Sequence, residues 1–399
     1  MPYLRACNVT TWESLVRGQA FDVSESLWAE LNATLTQDQI IDLLQEAVEK
    51  TAMPYPFRHT TLEQATTDFL RLRSLDSRTL LKREPWETDF PYAYPKQDLF
   101  IERSNIGARS SDYFHSANRH AVDISSSASA LRSWATPSLR RGLFKALWSL
   151  GMTRVSPREI RTAAANRKYV AAQFRPSAAK ALYDLYGGGR VLDFSAGWGD
   201  RLSAALACDK VNHYTGIDPN FRLHDGYAAQ VETYNRNLDG DLFDWFSSFT
   251  PKTFNLICSP AEELETLDGP FDVVFTSPPY FDKERYTKDP TQSWVRYRRL
   301  DSWLQGFLFK TLALAWGHLR VGGHLCVNIA DVRADEREEG GYKRLINSIC
   351  DPMNDFIATL PNASYQGAIG LRMAERINVN DEVPDKFCEP IWVWKKSGP

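Results

Sequence analysis

No apolar run in these 399 residues approaches the roughly 18 needed to span a bilayer. Met1 to Ala20 carries Arg5, Glu13 and Arg17 in place of a signal-peptide core, so the chain is expected to be soluble and unsecreted, with no membrane partner. Cysteine is sparse: six are scattered without a C-x-x-C pair, which leaves no disulfide framework to expect. The seven histidines form no H-E-x-x-H and no Cys/His cluster, so no metal is expected. Several nucleotide and hydrolase signatures are missing as well. No long glycine loop ends in Lys-Ser/Thr, Leu202 stands where a dinucleotide fingerprint needs Gly or Ala, and Asp193 two before Ser195 breaks G-x-S-x-G. What remains is ordinary globular composition, 43% hydrophobic and 24% charged, in a length that suits two or three domains.

The net charge of −3 hides a strong asymmetry. Residues 1–100 carry 10 basic against 15 acidic side chains, residues 101–190 carry 15 against 5, and residues 191–399 carry 22 against 30. The first block reads as helical, with S/T-x-x-E/Q caps at Thr36–Gln39 and Thr60–Glu63 and an apolar stripe at Ile40, Leu43, Leu44 and Ala47. In the basic block, Thr136-Pro137 and Ser156-Pro157 start two further helices. Arg158, Arg161 and Lys168 fall within a quarter of the second helix's circumference, and Arg140 and Arg141 lie on the first. Arginines grouped in this way offer bidentate phosphate contacts and salt-dependent affinity for a polyanion. A solvated, arginine-rich helical face reads equally well from charge alone.

From about residue 188 the pattern changes to short apolar strands alternating with helices, the mark of a parallel α/β sheet. Strands are expected at Arg190–Phe194, His213–Ile217, Phe254–Ser259, Phe271–Thr276 and His324–Ile329, closed by Tyr365–Leu371 and Pro390–Trp394. The first runs into Asp193-Phe194-Ser195-Ala196-Gly197-Trp198-Gly199, whose glycines permit a tight turn and close approach of backbone to a ligand. Nineteen residues after Gly199 stands Asp218, at the spacing of a carboxylate that accepts from ribose hydroxyls. Asp193 and Asp218 together suit a nucleoside ligand with an ammonium-bearing tail; two helix-capping aspartates would look the same. The fourth strand ends in Ser277-Pro278-Pro279-Tyr280, where two prolines remove backbone donors and stiffen a turn at the carboxyl edge of the sheet.

These two segments resemble the S-adenosylmethionine-dependent amino-methyltransferases that modify exocyclic nitrogens of nucleobases. Their nucleotide loop reads approximately D-P-F-x-G-x-G and their catalytic loop (D/N/S)-P-P-(Y/F/W). The catalytic loop matches in full, while Phe194 and Ser195 depart from the nucleotide loop. Gln173-Phe174-Arg175-Pro176 is similar to the family's lead into the glycine strand. The resemblance covers about residues 170–396 and implies a Rossmann-like class I methyltransferase sheet, residues 170–399, behind a mostly helical N-terminal region, 1–100, and a basic nucleic-acid-binding region, 101–169.

It further implies S-adenosylmethionine as cofactor, held by Phe174, Asp193, Ser195, Gly197, Gly199, Asp218 and Glu262. Ser277 and the Pro278 carbonyl would accept the two amine hydrogens, with Pro279 stiffening the loop, localising the nitrogen lone pair by oriented hydrogen bonds. Tyr280 would stack on an extruded base. Serine at the first loop position favours cytosine N4 over adenine N6, and DNA over RNA is the expected partner, with an RNA amino-methyltransferase or a non-catalytic nucleic-acid-binding module as alternatives. A cytoplasmic, nucleoid-associated place, or a nuclear one in a eukaryote, accompanies that expectation. Phe281, Asp282, Glu284 and Tyr286 beyond the loop, and Asn328 and Asp331 after the fifth strand, are candidates either for lining the base pocket or for anchoring it.

Overall fold

A computed structural model describes residues 11–86, 90–124, 127–167, 171–236, 252–338, 341–373 and 387–398. The chain divides into two compact units, Met1–His59 with Arg119–Ala171, and Thr60–Asn118 with Ala172–Pro399. The units do not divide at the expected boundary at residue 100. Its correction has a plain cause: Lys96–Ile101 pairs as a strand within the large sheet, so residues 60–118 belong with the α/β unit.

The first unit is helical, with Glu25–Thr34, Gln37–Thr51, Ala130–Ala135, Pro137–Ser149 and Pro157–Arg167. Thr36 and Gln39 form the expected reciprocal cap, in which the Thr36 N–H donates to Gln39 Oε1 at 2.9 Å and the Gln39 N–H to Thr36 Oγ1 at 3.3 Å. Behind it Ile40, Ile41, Leu44 and Ala47 join Phe144 and Leu147 in one apolar core. The next cap, in the α/β unit, sits one residue later than expected, at Thr61 with Gln64, because the same spacing recurs there and the amide of Gln64 completes the box.

The α/β unit is built on a nine-stranded sheet: β1 Leu81–Lys82, β2 Lys96–Ile101, β3 Gly189–Asp193, β4 Val211–Ile217, β5 Thr253–Ile257, β6 Phe271–Thr276, β7 Leu319–Asn328, β8 Ala363–Arg372 and β9 Cys388–Lys396. Their order is β1-β2-β8-β9-β7-β6-β3-β4-β5. Strands β5, β4, β3, β6 and β7 run parallel, and β9 is reversed between β7 and β8. The central strands are apolar on both faces, as a parallel sheet covered by helices requires: Val191, Leu192, Val273, Val274, Leu325 and Val327 are all fully buried. From β3 the chain winds outward through β4 to β5, then returns to β6 on the other side of β3 and winds outward to β7. This reversal makes a Rossmann-like, doubly wound sheet whose switch point lies between β3 and β6.

Among the described residues no helix is long and apolar enough to cross a membrane, and no group of His, Cys, Asp and Glu is arranged to hold a metal ion.

Candidate functional site

Open α/β sheets bind ligands beyond the carboxyl ends of their strands at such a switch point, which here are the ends of β3 and β6. Because Leu192 pairs with Val274, the turn after β3 and the turn after β6 emerge from adjacent strands. The first carries Gly197 and Gly199; the second carries Ser277 and Tyr280.

Both glycines adopt left-handed backbone, φ +60° at Gly197 and +69° at Gly199. Their surroundings differ. A Cβ on Gly199 would strike Gln230 and His115, whereas on Gly197 it would meet nothing nearer than 3.7 Å. Gly199 is therefore needed for packing, and Gly197 leaves an open cradle. The turn is held from behind by Gln230, whose Nε2 donates to the Gly199 carbonyl at 2.8 Å and to Ser203 Oγ at 2.7 Å. His115 lies 3.3 Å from Gln230 Oε1, and burial pushes its pKa down to about 4, so the ring is neutral. The Tyr227 hydroxyl donates to the Gly197 carbonyl.

The two strand-end aspartates differ in kind. Asp193 is 0% exposed and is enclosed by internal donors: Arg201 Nε at 2.7 Å and Nη2 at 3.2 Å, the Tyr214 hydroxyl at 2.8 Å and the Ser195 N–H at 3.2 Å. The Arg201 guanidinium also donates to the Ser195 carbonyl and lies 5.5 Å from the Phe174 ring. These partners assign Asp193 to bracing the glycine turn, a correction to its expected place against a ligand ammonium. Asp218, half-buried at the end of β4, accepts only backbone amides, from Gly197 at 2.9 Å and Asn220 at 2.9 Å. Burial, against the pull of those two amides, raises its pKa to about 6. It has no cationic side-chain hydrogen-bond partner among the described residues and retains acceptor capacity.

At β6, parallel register sets Thr276 beside Val327, which brings Ser277 alongside Asn328. The Ser277 hydroxyl donates to Asn328 Oδ1 at 3.3 Å, and Asn328 Nδ2 donates to the Pro390 carbonyl at 3.1 Å, which fixes the amide's orientation. With its one proton engaged, Ser277 Oγ is left with lone pairs. Pro278 is buried, while Ser277, Pro279 and Tyr280 are half-buried and reach solvent. The Tyr280 phenol donates to Glu389 Oε2 at 3.2 Å, and the Lys283 ammonium lies 5.3 Å from its ring centroid. Burial raises both the Tyr280 and the Glu389 pKa. Phe281 turns the chain away through φ +54° and buries its ring against Trp303.

Around this corner the remaining candidates separate. Phe174 packs edge-on against Phe275 of β6 at 5.3 Å. Ser195 contributes its backbone to the Arg201 brace. Glu262, 2% exposed in the turn after β5, pairs with Arg296 at 3.1 Å. Asp331 accepts the N–H groups of Ile349 and Cys350 at 2.8 and 2.9 Å, so it anchors the start of helix Cys350–Ala358. Asp282 pairs with Arg285, and Glu284 accepts from the Tyr286 hydroxyl. Arg201, Gln230, His115 and Glu389 carried no motif of their own; only the proximity of Arg201 to the glycine turn in Gly199-Asp200-Arg201 could have signalled it.

In the helical unit the cationic face is smaller than expected. Arg140 is 4% exposed and bonds Glu49 at 2.9 Å, Gln45 at 3.0 Å and the Trp134 carbonyl at 3.0 Å, so it is a core arginine and not a phosphate ligand. Arg141 is engaged by Asp38 and Asp42. Arg158 is exposed, Arg161 is half-buried with one N–H on the Pro56 carbonyl at 3.2 Å, and Lys168 lies outside the described residues.

No family model and no curated protein matches the chain. Solved structures of similar fold include a S-adenosylmethionine-dependent methyltransferase from Clostridium acetobutylicum, 13% identical over 55% of this chain and 88% of that one, TM-score 0.31. An rRNA methylase from Streptococcus thermophilus is 14% identical over 57% and 100%, TM-score 0.31. A tRNA m1G37 methyltransferase from M. jannaschii is 11% identical over 56% and 47%, TM-score 0.31. Likeness at this level leaves the fold resting on the strand order and register described above.

Proposed function

We propose that this chain transfers a methyl group from S-adenosylmethionine to the exocyclic amine of a nucleobase in a polynucleotide, with cytosine N4 of DNA as the target. One observation carries the reading: an open left-handed glycine cradle with an amide-bound carboxylate beside it adjoins, across one strand spacing, a proline-stiffened serine whose proton is already engaged. The residues fit the cofactor. Gly197 leaves room for close approach, and ionised Asp218 has acceptor capacity for ribose hydroxyls. Phe174 and Glu262 are candidate contacts, and Asp193 acts through Arg201 to hold the turn.

Bound S-adenosylmethionine supplies an electrophilic sulfonium methyl. The chain's own residues prepare the nucleophile. Ser277 Oγ and the Pro278 carbonyl accept the two amine hydrogens, which draws the nitrogen toward tetrahedral geometry and localises its lone pair. Asn328, held by the Pro390 carbonyl, positions the Ser277 hydroxyl so that oxygen lone pairs face the amine. Tyr280, tethered through its phenol to Glu389, offers a ring for the extruded base. Alignment of donor and acceptor provides most of the acceleration, so no nucleophilic cysteine is required.

Transfer of labelled methyl to duplex DNA, followed by digestion and mass spectrometry of the nucleosides, tests the reading. N4-methylcytosine is expected. N6-methyladenine would move the target base, label only in RNA would move the polymer, and no transfer to either would overturn the function.

A further inference from the structure

The helical unit contains a cavity of about 430 Å³ that takes no part in the site above. That volume lies within the roughly 300–1,000 Å³ range of small-ligand sites. Its wall includes Tyr55, Phe57, Arg58, His59, Pro157 and Arg161. Tyr55 is 6% exposed, and its hydroxyl makes no hydrogen bond among the described residues. Its ring meets that of Phe57 edge-on, centroids 5.0 Å apart and planes at 79°. Arg58 is exposed, Arg161 is half-buried, and neither forms an ion pair among the described residues, in contrast to Arg140 and Arg141 in the same unit. The Pro56 carbonyl accepts from Arg161 at 3.2 Å and so steadies one guanidinium at the wall.

Two uncompensated guanidinium groups, an unpartnered phenol and two aromatic rings around one hollow are the chemistry that holds a base and its phosphate. A purely apolar ligand would leave the cations and the hydroxyl unused. We propose that this cavity binds an unstacked nucleotide of the substrate strand, its base against Phe57 and its phosphate on Arg58 and Arg161. The nucleotide is other than the one methylated, since the Ser277 corner is built entirely by the other unit. This inference rests on the reading that the substrate is a polynucleotide, and it names the part of the strand the helical unit grips.

The test uses the full chain and short single-stranded DNA and RNA oligonucleotides carrying one 2-aminopurine. Binding to the wild type should quench the probe. Phe57→Leu keeps apolar volume and removes an aromatic face, and should weaken binding about tenfold with loss of quenching. Arg58→Gln with Arg161→Gln should lower the slope of log affinity against log salt by roughly 0.7, the share of one neutralised phosphate on a single strand. Calorimetric affinity for S-adenosylmethionine, held by the other unit, should stay at the wild-type value in both variants and reports that the protein has folded. The relative strength of the DNA and RNA probes identifies the polymer.

Unchanged affinity, quenching and salt slope in both variants, with wild-type methyl transfer intact, would overturn the cavity assignment alone. Competition for the cavity by a phosphopeptide and not by either oligonucleotide would also overturn it. A wild type that methylates no polynucleotide would remove the underlying reading as well.

Discussion

Replacing Arg201 by Met decides whether Asp193 is a brace or a ligand-facing carboxylate. The Arg201 side chain is 5% exposed, that of Asp193 is 0% exposed, and the guanidinium makes bonds of 2.7 and 3.2 Å to the carboxylate. Met keeps much of the apolar stem and removes the charge with both donors. The Tyr214 hydroxyl and Ser195 N–H remain, but they are bonded before and after the change, so they do not offset it. Breaking one side of a buried ion pair costs roughly 3–5 kcal/mol, because a carboxylate is left uncompensated in a poorly solvated place. The chain has two compact units, so a single melting curve would mix their transitions. Hydrogen exchange on peptides from β3 and β4 isolates the sheet and should show protection lower by two to three orders of magnitude, corresponding to about 3–4 kcal/mol. Arg201→Lys, which keeps the charge and loses the planar fork, should recover part of this. A loss below about 1 kcal/mol, accompanied by a large fall in cofactor affinity, would refute the brace and return Asp193 to the ligand.

Cofactor affinity should fall as pH drops below about 6, approaching tenfold per unit, because ribose hydroxyls donate to ionised Asp218; Asp218→Asn should lower affinity at neutral pH and flatten the profile, as calorimetry across pH 5–8 would show. In the unliganded protein the same group has the opposite sign: the fold holds this proton more tightly than the unfolded chain, so its contribution to stability decreases as pH rises from about 4 to about 6. Ser277→Ala should reduce kcat by about 10²–10³ while leaving cofactor affinity unchanged, measured by single-turnover methyl transfer; a loss confined to KM would refute its transition-state role. Gly197→Ala and Gly199→Ala both force alanine into left-handed backbone, about 1–2 kcal/mol each, but only the second also drives a Cβ into Gln230 and His115. Thermal and cofactor titrations should therefore show Gly199→Ala chiefly unfolding and Gly197→Ala chiefly weakening the cofactor.

The sheet was legible because a buried parallel strand must be apolar throughout and must end where polar turn residues begin. Phe271–Thr276 was read to the residue for that reason, and β3 and β4 to within two. The helical stretch from Leu300 to Gly317 contains a wider turn, Leu304–Phe309, between Leu300–Trp303 and Lys310–Gly317. No change in apolar spacing announces such a local change of hydrogen bonding. The cationic face was overread because a partner distant in sequence decides the role of an arginine. Arg140 and its carboxylate Glu49 are 91 positions apart, and charge counting sees only the first. The support behind the glycine turn was invisible for a related reason. His115 and Gln230 reach Gly199 from residues far on either side of it, and neither carries a pattern that distinguishes a buried polar support from a surface residue.

The two aspartates show how one sheet edge separates two tasks by environment alone. Both stand at the ends of adjacent parallel strands, with Asp193 beside Gly216 and Asp218 two residues further along β4 and its turn. Had both been ionised with only amide donors, their mutual repulsion at a half-buried sheet edge would have raised the cost of keeping either charged. Arg201 removes that conflict by neutralising Asp193 completely within the protein, at the same time bonding the Ser195 carbonyl and covering Phe174. Asp218 is then the one carboxylate of the pair that no side-chain cation bonds among the described residues, and burial raises it to about 6, just below neutrality. A group so placed gains more from hydroxyl donors than an already ion-paired one, because incoming hydrogen bonds replace solvation that burial has removed. The ribose-binding assignment therefore follows from the difference between the two carboxylates, which the spacing of aspartates in the sequence could not express.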